Sequence, residues 1–120
     1  MAGDKTSQLR TFEALAEPNR LRIVELLRDG PLPVGEIARR LEMRQPQASK
    51  HLKVLTGCGL LSVTVQGNRR IYALRPEPFL ALDEWLHRIR RTMEERFENL
   101  DAYLRRLQSE ESSKQHGTPT

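Results

Sequence analysis

Between Val34 and Leu61 the apolar positions fall into two short helical periods separated by a break. Val34, Ile37, Ala38 and Leu41 share one helical face. Ala48, Leu52 and Leu55 recur at steps of four and three with Val54 beside them, so one side of a second helix is bound to a core. Glu42, Met43 and Arg44 form a tight connection between the two. Pro46 falls near the first turn of the second helix, where a missing N–H is harmless. Gly57 and Gly59 stop that helix, and the period then changes. Leu61 to Gln66 alternates as LSVTVQ, Gly67 and Asn68 interrupt it, and Arg69 to Leu74 resumes as RRIYAL. The pattern predicts a helix-turn-helix over 34–57, followed by a hairpin over 61–74 that forms a wing with Arg69 and Arg70 at its tip.

The flanking segments are helical too. Leu9, Phe12, Leu15 and Ala16 make a short amphipathic helix after Thr6 and Ser7, which read as caps. Pro18 opens another helix, with Leu21, Ile23, Val24, Leu26 and Leu27 as core candidates and Gly30 and Pro31 at its end. From Pro78 to residue 108 one long helix carries Leu82, Leu86, Ile89, Met93, Phe97, Leu100, Leu104 and Leu107 at steps of 4, 3, 4, 4, 3, 4 and 3. That is a heptad with one stutter. So long a seam exceeds what a small domain needs for its own core, so part of it is expected to meet another subunit. The expected interface is Leu9, Phe12, Leu82, Trp85, Leu86, Ile89, Met93, Phe97, Leu100 and Leu104. Residues 109–120, SEESSKQHGTPT, read as a disordered polar tail. The whole is one domain over 1–108, mainly α with a small β-hairpin wing, of the α+β class.

The face of the second motif helix turned away from the core is polar and basic. Gln45, Gln47, Ser49 and Lys50 are suited to hydrogen-bond base edges in a DNA major groove. Arg39, Arg44, His51, Lys53, Arg69 and Arg70 are suited to phosphates. Charge supports this placement: residues 34–75 hold eight Lys or Arg against Glu36 and Glu42, whereas residues 1–33 balance at five against five and residues 76–120 hold seven against nine. The excess positive charge therefore sits in the proposed DNA-reading unit. No Cys-pair metal cluster, phosphate-cradling glycine loop or Ser, His and Asp set suggests an enzyme. Cys58, the single cysteine, excludes an intramolecular disulfide and reads as a packed thiol. No apolar run approaches the roughly 20 residues that span a bilayer, and no targeting signal is seen, so a cytoplasmic protein is expected.

Three stretches, LAEPNRLRIVELLRDGPLPVGEIARRL (15–41), QPQASKHLKVLTGCGLL (45–61) and GNRRIYAL (67–74), make residues 9–75 resemble the ArsR-type family of bacterial winged-helix repressors. The resemblance implies a homodimer joined by its first and last helices, bound to a palindromic operator of double-stranded DNA and released by an effector. Metal-sensing members carry two cysteines flanking a valine where this chain has Pro33 and Gly35. A second family site draws Asp and His from the last helix. Asp83 and His87 stand one turn apart here, with Glu94 or Glu98 as further partners, but Trp85 occupies the position that wants His. Trp85, Arg91, Glu95, Arg96, Phe97 and the run NLDAYL resemble the metal-independent members. The expectation is a repressor of its own operon with no cofactor, released by a small molecule at the dimer interface, where Trp85, Phe97 and Tyr103 are read first as packing residues. The alternatives are a metal-responsive repressor using Asp83 and His87, a winged helix that binds protein or RNA, and an activator, since the sign depends on where the operator lies.

Overall fold

The computed structural model describes residues 2–117, with side chains described for residues 5–111. The chain divides into two compact units between Leu82 and Asp83, where the sequence suggested one domain over 1–108.

In the first unit α1 (Ala2–Leu15), α2 (Pro18–Leu27), α3 (Val34–Arg40) and α4 (Gln45–Gly57) surround a small sheet of β1 (Leu32–Pro33), β2 (Leu61–Gln66) and β3 (Arg69–Leu74). The sheet order is β1-β3-β2, antiparallel throughout. Ile23, Val24 and Leu27 from α2, Ile37 from α3, and Leu52 and Leu55 from α4 close on Ala14, Leu60, Leu61 and Tyr72 to form the core. Burying each of the larger aliphatic side chains is worth about 1.5–3 kcal/mol. Two arginines tie the helix ends together. Arg20 Nε donates to the Ala14 carbonyl at the end of α1 (2.8 Å), and Arg22 Nη2 donates to the Leu41 carbonyl just after α3 (2.9 Å). Each satisfies an orphan carbonyl of a helix C-terminus.

Several sequence expectations need correction. Thr6 and Ser7 are not caps but lie inside α1, which starts at Ala2, and Thr11 Oγ1 donates to the Ser7 carbonyl. Leu21 and Val54 are exposed, because the helical period turns Ile23, Val24 and Leu27 inward on α2 and Ala48, Leu52 and Leu55 inward on α4. The connection after α3 begins at Leu41, and Glu42 takes the left-handed conformation (φ 54°) that turns the chain into α4. The wing is a hairpin on a three-stranded sheet. Leu32 and Pro33 pair with Tyr72 and Ile71, on an edge where proline's missing N–H faces no partner. Gly67, at φ 64°, and Asn68 close the hairpin as a two-residue turn between Gln66 and Arg69. Only Leu61 of β2 is buried; Val63 and Val65 are exposed, because the hairpin runs out beyond the core that its base meets.

The long helix α5 runs from Pro76 to Gly117, longer than the 78–108 read from sequence. Pro76 and Pro78 both fit in its first turn, where N–H groups have no helical acceptor. Beyond Ser109, where a disordered tail was expected, Glu, Lys and Gln sustain the helix and no proline intervenes before its end; residues 118–120 lie outside the described residues. The second unit is the part of this helix from Asp83 onward. Arg91 with Glu95, and Asp101 with Arg105, support it through i,i+4 ion pairs. Leu86, Ile89, Met93, Phe97, Leu100 and Leu104 run along one side and are 38–66% exposed.

Candidate nucleic-acid interface

Helix α4 begins after Arg44, whose backbone is extended and whose side chain makes no capping bond, and Pro46 sits in its first turn. Ala48, Leu52 and Leu55 are fully buried. That fixes the opposite face, and Gln45, Gln47, Ser49, Lys50 and Lys53 are all exposed on it. They fall into two rows. Gln45, Ser49 and Lys53, spaced by one turn, continue into Thr56 and line a groove of about 930 Å³. The wing forms the other wall through Val63, Asn68, Arg69, Arg70 and Tyr72, and the start of α3 closes the end with Pro33, Val34, Gly35 and Glu36. Gln47 and Lys50 make the second row, outside the groove lining and beside the exposed Val54. The four expected base readers are thus brought to one surface, two inside the groove and two beyond it.

The expected phosphate contacts are less uniform. Lys53, Arg69 and Arg70 line the groove together, and Arg44 is exposed at the front of α4. His51 does not belong with them. Three residues after the buried Ala48, it turns toward the start of α2, with Nδ1 3.7 Å from Glu17 Oε2 and a side chain only 16% exposed. Glu17 in turn caps α2 by accepting from the Arg20 backbone N–H at 2.9 Å. His51 therefore faces the start of α2 and not the groove.

Arg39 is exposed but engaged. Glu36 Oε2 accepts from Arg39 Nε (3.2 Å), while Glu36 Oε1 accepts from Arg40 Nε (2.9 Å) and from Arg39 Nη2. Hydrogen bonds from Arg39 and then Arg40 hold the Glu36 carboxyl down at about 2, well below its ordinary 4.5. The folded pKa is depressed, so the stability Glu36 contributes is complete above about pH 4.5 and is lost as pH falls toward 2. Accordingly, the gap in melting temperature between the wild type and Glu36→Gln is expected to be constant above pH 5 and to close between pH 4.5 and 2. A gap that stayed open at pH 2 would show that Glu36 stabilises the fold by something other than its charge. Glu36, Thr56 and Asn68 escaped sequence reasoning; only Glu36 carried a signal, as an acid three residues before two arginines.

Cys58, half-buried after α4, donates its thiol to the Leu55 carbonyl at 3.4 Å. Asp83 and His87 are both exposed on α5, one turn apart. Among the described residues, no three His, Cys, Asp or Glu side chains gather as a metal-ligand set, and no helix is long and apolar enough to cross a membrane.

A buried helical spine, an exposed polar row and a cation-lined groove bounded by a wing define a winged helix-turn-helix DNA-binding transcription regulator rather than an enzyme. The helix-turn-helix domain family matches residues 15–64. The chain is 47% identical over 73 residues to the HTH-type transcriptional regulator Rv2034 of Mycobacterium tuberculosis, covering 61% of this chain and 68% of that protein. It superimposes on the crystal structure of an ArsR family transcriptional regulator, RHA00566, with a TM-score of 0.65 at 31% identity, covering 78% of this chain and 94% of that one. A similar likeness, TM-score 0.62 at 27% identity over 78% of this chain and 88% of that one, holds to the homodimeric winged helix-turn-helix domain of Mb0332 from Mycobacterium bovis, solved by NMR. The chain belongs to the ArsR family of transcriptional regulators.

Proposed function

We propose that the protein is a homodimeric repressor that reads a palindromic operator, its own promoter included, from the cytoplasm, and that a small organic effector releases it. One observation carries the reading of DNA: the exposed face of α4 presents amides, a hydroxyl and ammonium groups along a groove lined by Lys53, Arg69 and Arg70. Gln45, Gln47, Ser49 and Lys50 take the base edges, Gln toward adenine and Lys toward guanine. Arg44, Lys53, Arg69 and Arg70 take phosphates, and Arg39 joins them from α3.

The apolar side of α5 supports the dimer, and its spacing favours one arrangement. Counting outward from Met93, the seam steps by four to Ile89 and Phe97, then three to Leu86 and Leu100, then four to Leu82 and Leu104. A palindromic seam suits an isologous contact, in which every pairing occurs twice about a two-fold axis. An antiparallel pair centred on Met93 sets Ile89 against Phe97 of the partner subunit and Leu86 against Leu100 of the partner subunit. Leu9 and Phe12 on α1 and Trp85 on α5 complete the expected contact. Two reading helices held about one DNA turn apart then enter successive major grooves.

The test is a gel-shift titration of the purified protein on the DNA upstream of its own gene against scrambled duplex, with and without zinc and a chelator. Selective binding indifferent to both supports the proposal. Binding abolished by zinc would turn release over to Asp83 and His87, and a stable dimer without preference for any duplex would favour a protein or RNA partner.

A further inference from the structure

Glu36 is the one acidic residue among the described residues that line the groove, which it shares with Lys53, Arg69 and Arg70. A carboxylate there repels phosphate wherever on a duplex the protein lands. Both of its oxygens are already accepting, from three N–H groups of Arg39 and Arg40. That leaves it poorly disposed to read a cytosine amino group. The two guanidiniums it holds remain accessible, Arg39 with a side chain 70% exposed and Arg40 47%. Because those hydrogen bonds hold the carboxyl down at about 2, the negative charge persists throughout the pH range in which duplex DNA is stable.

We propose that Glu36 is a positioning and specificity-determining residue for DNA binding. It clamps Arg39 and Arg40 at the α3 edge of the groove, and it removes one unit of positive charge from the interface. The inference rests on the DNA-reading function proposed above. A free arginine finds a phosphate in any register, because its stem is flexible and the attraction is non-directional. A clamped guanidinium presents its remaining N–H groups in one orientation, and it meets a phosphate only when α4 is seated in the register that also satisfies its base contacts. The clamp thus weakens the hold on arbitrary sequence more than the hold on the right one.

The experiment uses the full chain and two duplexes, one selected by the wild type from a random pool and one of mixed random sequence, titrated by fluorescence anisotropy over a salt series. Glu36→Gln keeps the shape and an acceptor oxygen but loses the charge. It is expected to bind the random duplex roughly 3- to 10-fold tighter and the selected duplex less so, with a salt slope steeper by about one. Its gain on random duplex should shrink when Arg39→Gln is added, as coupled residues require. An unchanged ratio of selected to random affinity, or an unchanged slope, overturns the proposal. Should Glu36→Gln fail to fold, Arg39→Gln alone decides: a larger loss on the selected duplex supports the clamp, and equal losses overturn it. If the wild type selects no sequence, the DNA-reading function itself falls. If it selects and Glu36→Gln discriminates equally well, only the role of Glu36 falls.

Discussion

Replacing Met93 with glutamate is expected to make the protein monomeric and to weaken its binding to a palindromic duplex by about 10²- to 10⁴-fold, the avidity gained by linking two half-site contacts. The size of the effect follows from the position. Met93 is the centre of the seam's palindrome, so in an antiparallel pair it faces its own copy and the substitution sets two carboxylates against each other in an apolar contact. Within one chain the same side chain is half exposed, and nothing in the core built on Ile23, Ile37, Leu52 and Leu55 depends on it. The variant should therefore melt as the wild-type monomer unit does while sedimenting at half the mass. A Met93→Glu protein that stayed dimeric would place the two-fold contact elsewhere, and loss of the dimer without loss of operator affinity would mean that one reading helix suffices. Leu107→Glu, at the end of the seam and outside its palindromic stretch, should cost far less.

The helix-turn-helix was legible because its signals are local. Ala48, Leu52 and Leu55 can only be one face of a helix, and burial of all three fixes which side chains are left outside. The wing was legible through a change of period and a two-residue Gly-Asn turn. Features that depend on distant partners were not. β1 consists of only Leu32 and Pro33, preceded by another proline, and exists because Tyr72 and Ile71 offer it a strand. His51 looked like another outward basic residue until Glu17, far away in sequence, proved to stand beside it. The clamp on Glu36 is local, but its importance comes from the groove, which only the packing of α3, α4 and the wing creates. The end of α5 was hard to read for a different reason: the segment after Ser109 is polar enough for a disordered tail, yet holds no proline before Gly117 to stop a helix already under way.

Alanine at Gln47 and at Lys50 should separate base reading from mere attraction to DNA. Each is exposed on α4 outside the groove lining, and neither supports the core, so the fold should be unaffected. A lost bidentate base contact is worth about 1–3 kcal/mol of discrimination. Either variant should therefore bind a selected duplex roughly 5- to 100-fold more weakly while its affinity for random duplex changes little. The double variant should lose both contributions wherever the two side chains reach different base pairs. Arg69→Ala supplies the contrast. Its guanidinium lies at the start of β3 on the wing side of the groove, and its loss should weaken selected and random duplex alike and flatten the salt slope by about one. Competition titrations over a salt series read all three quantities at once. Equal losses on both duplexes for Gln47→Ala and Lys50→Ala would move base reading from the outer row of α4 to Gln45 and Ser49 inside the groove, which is the other row the fold leaves open.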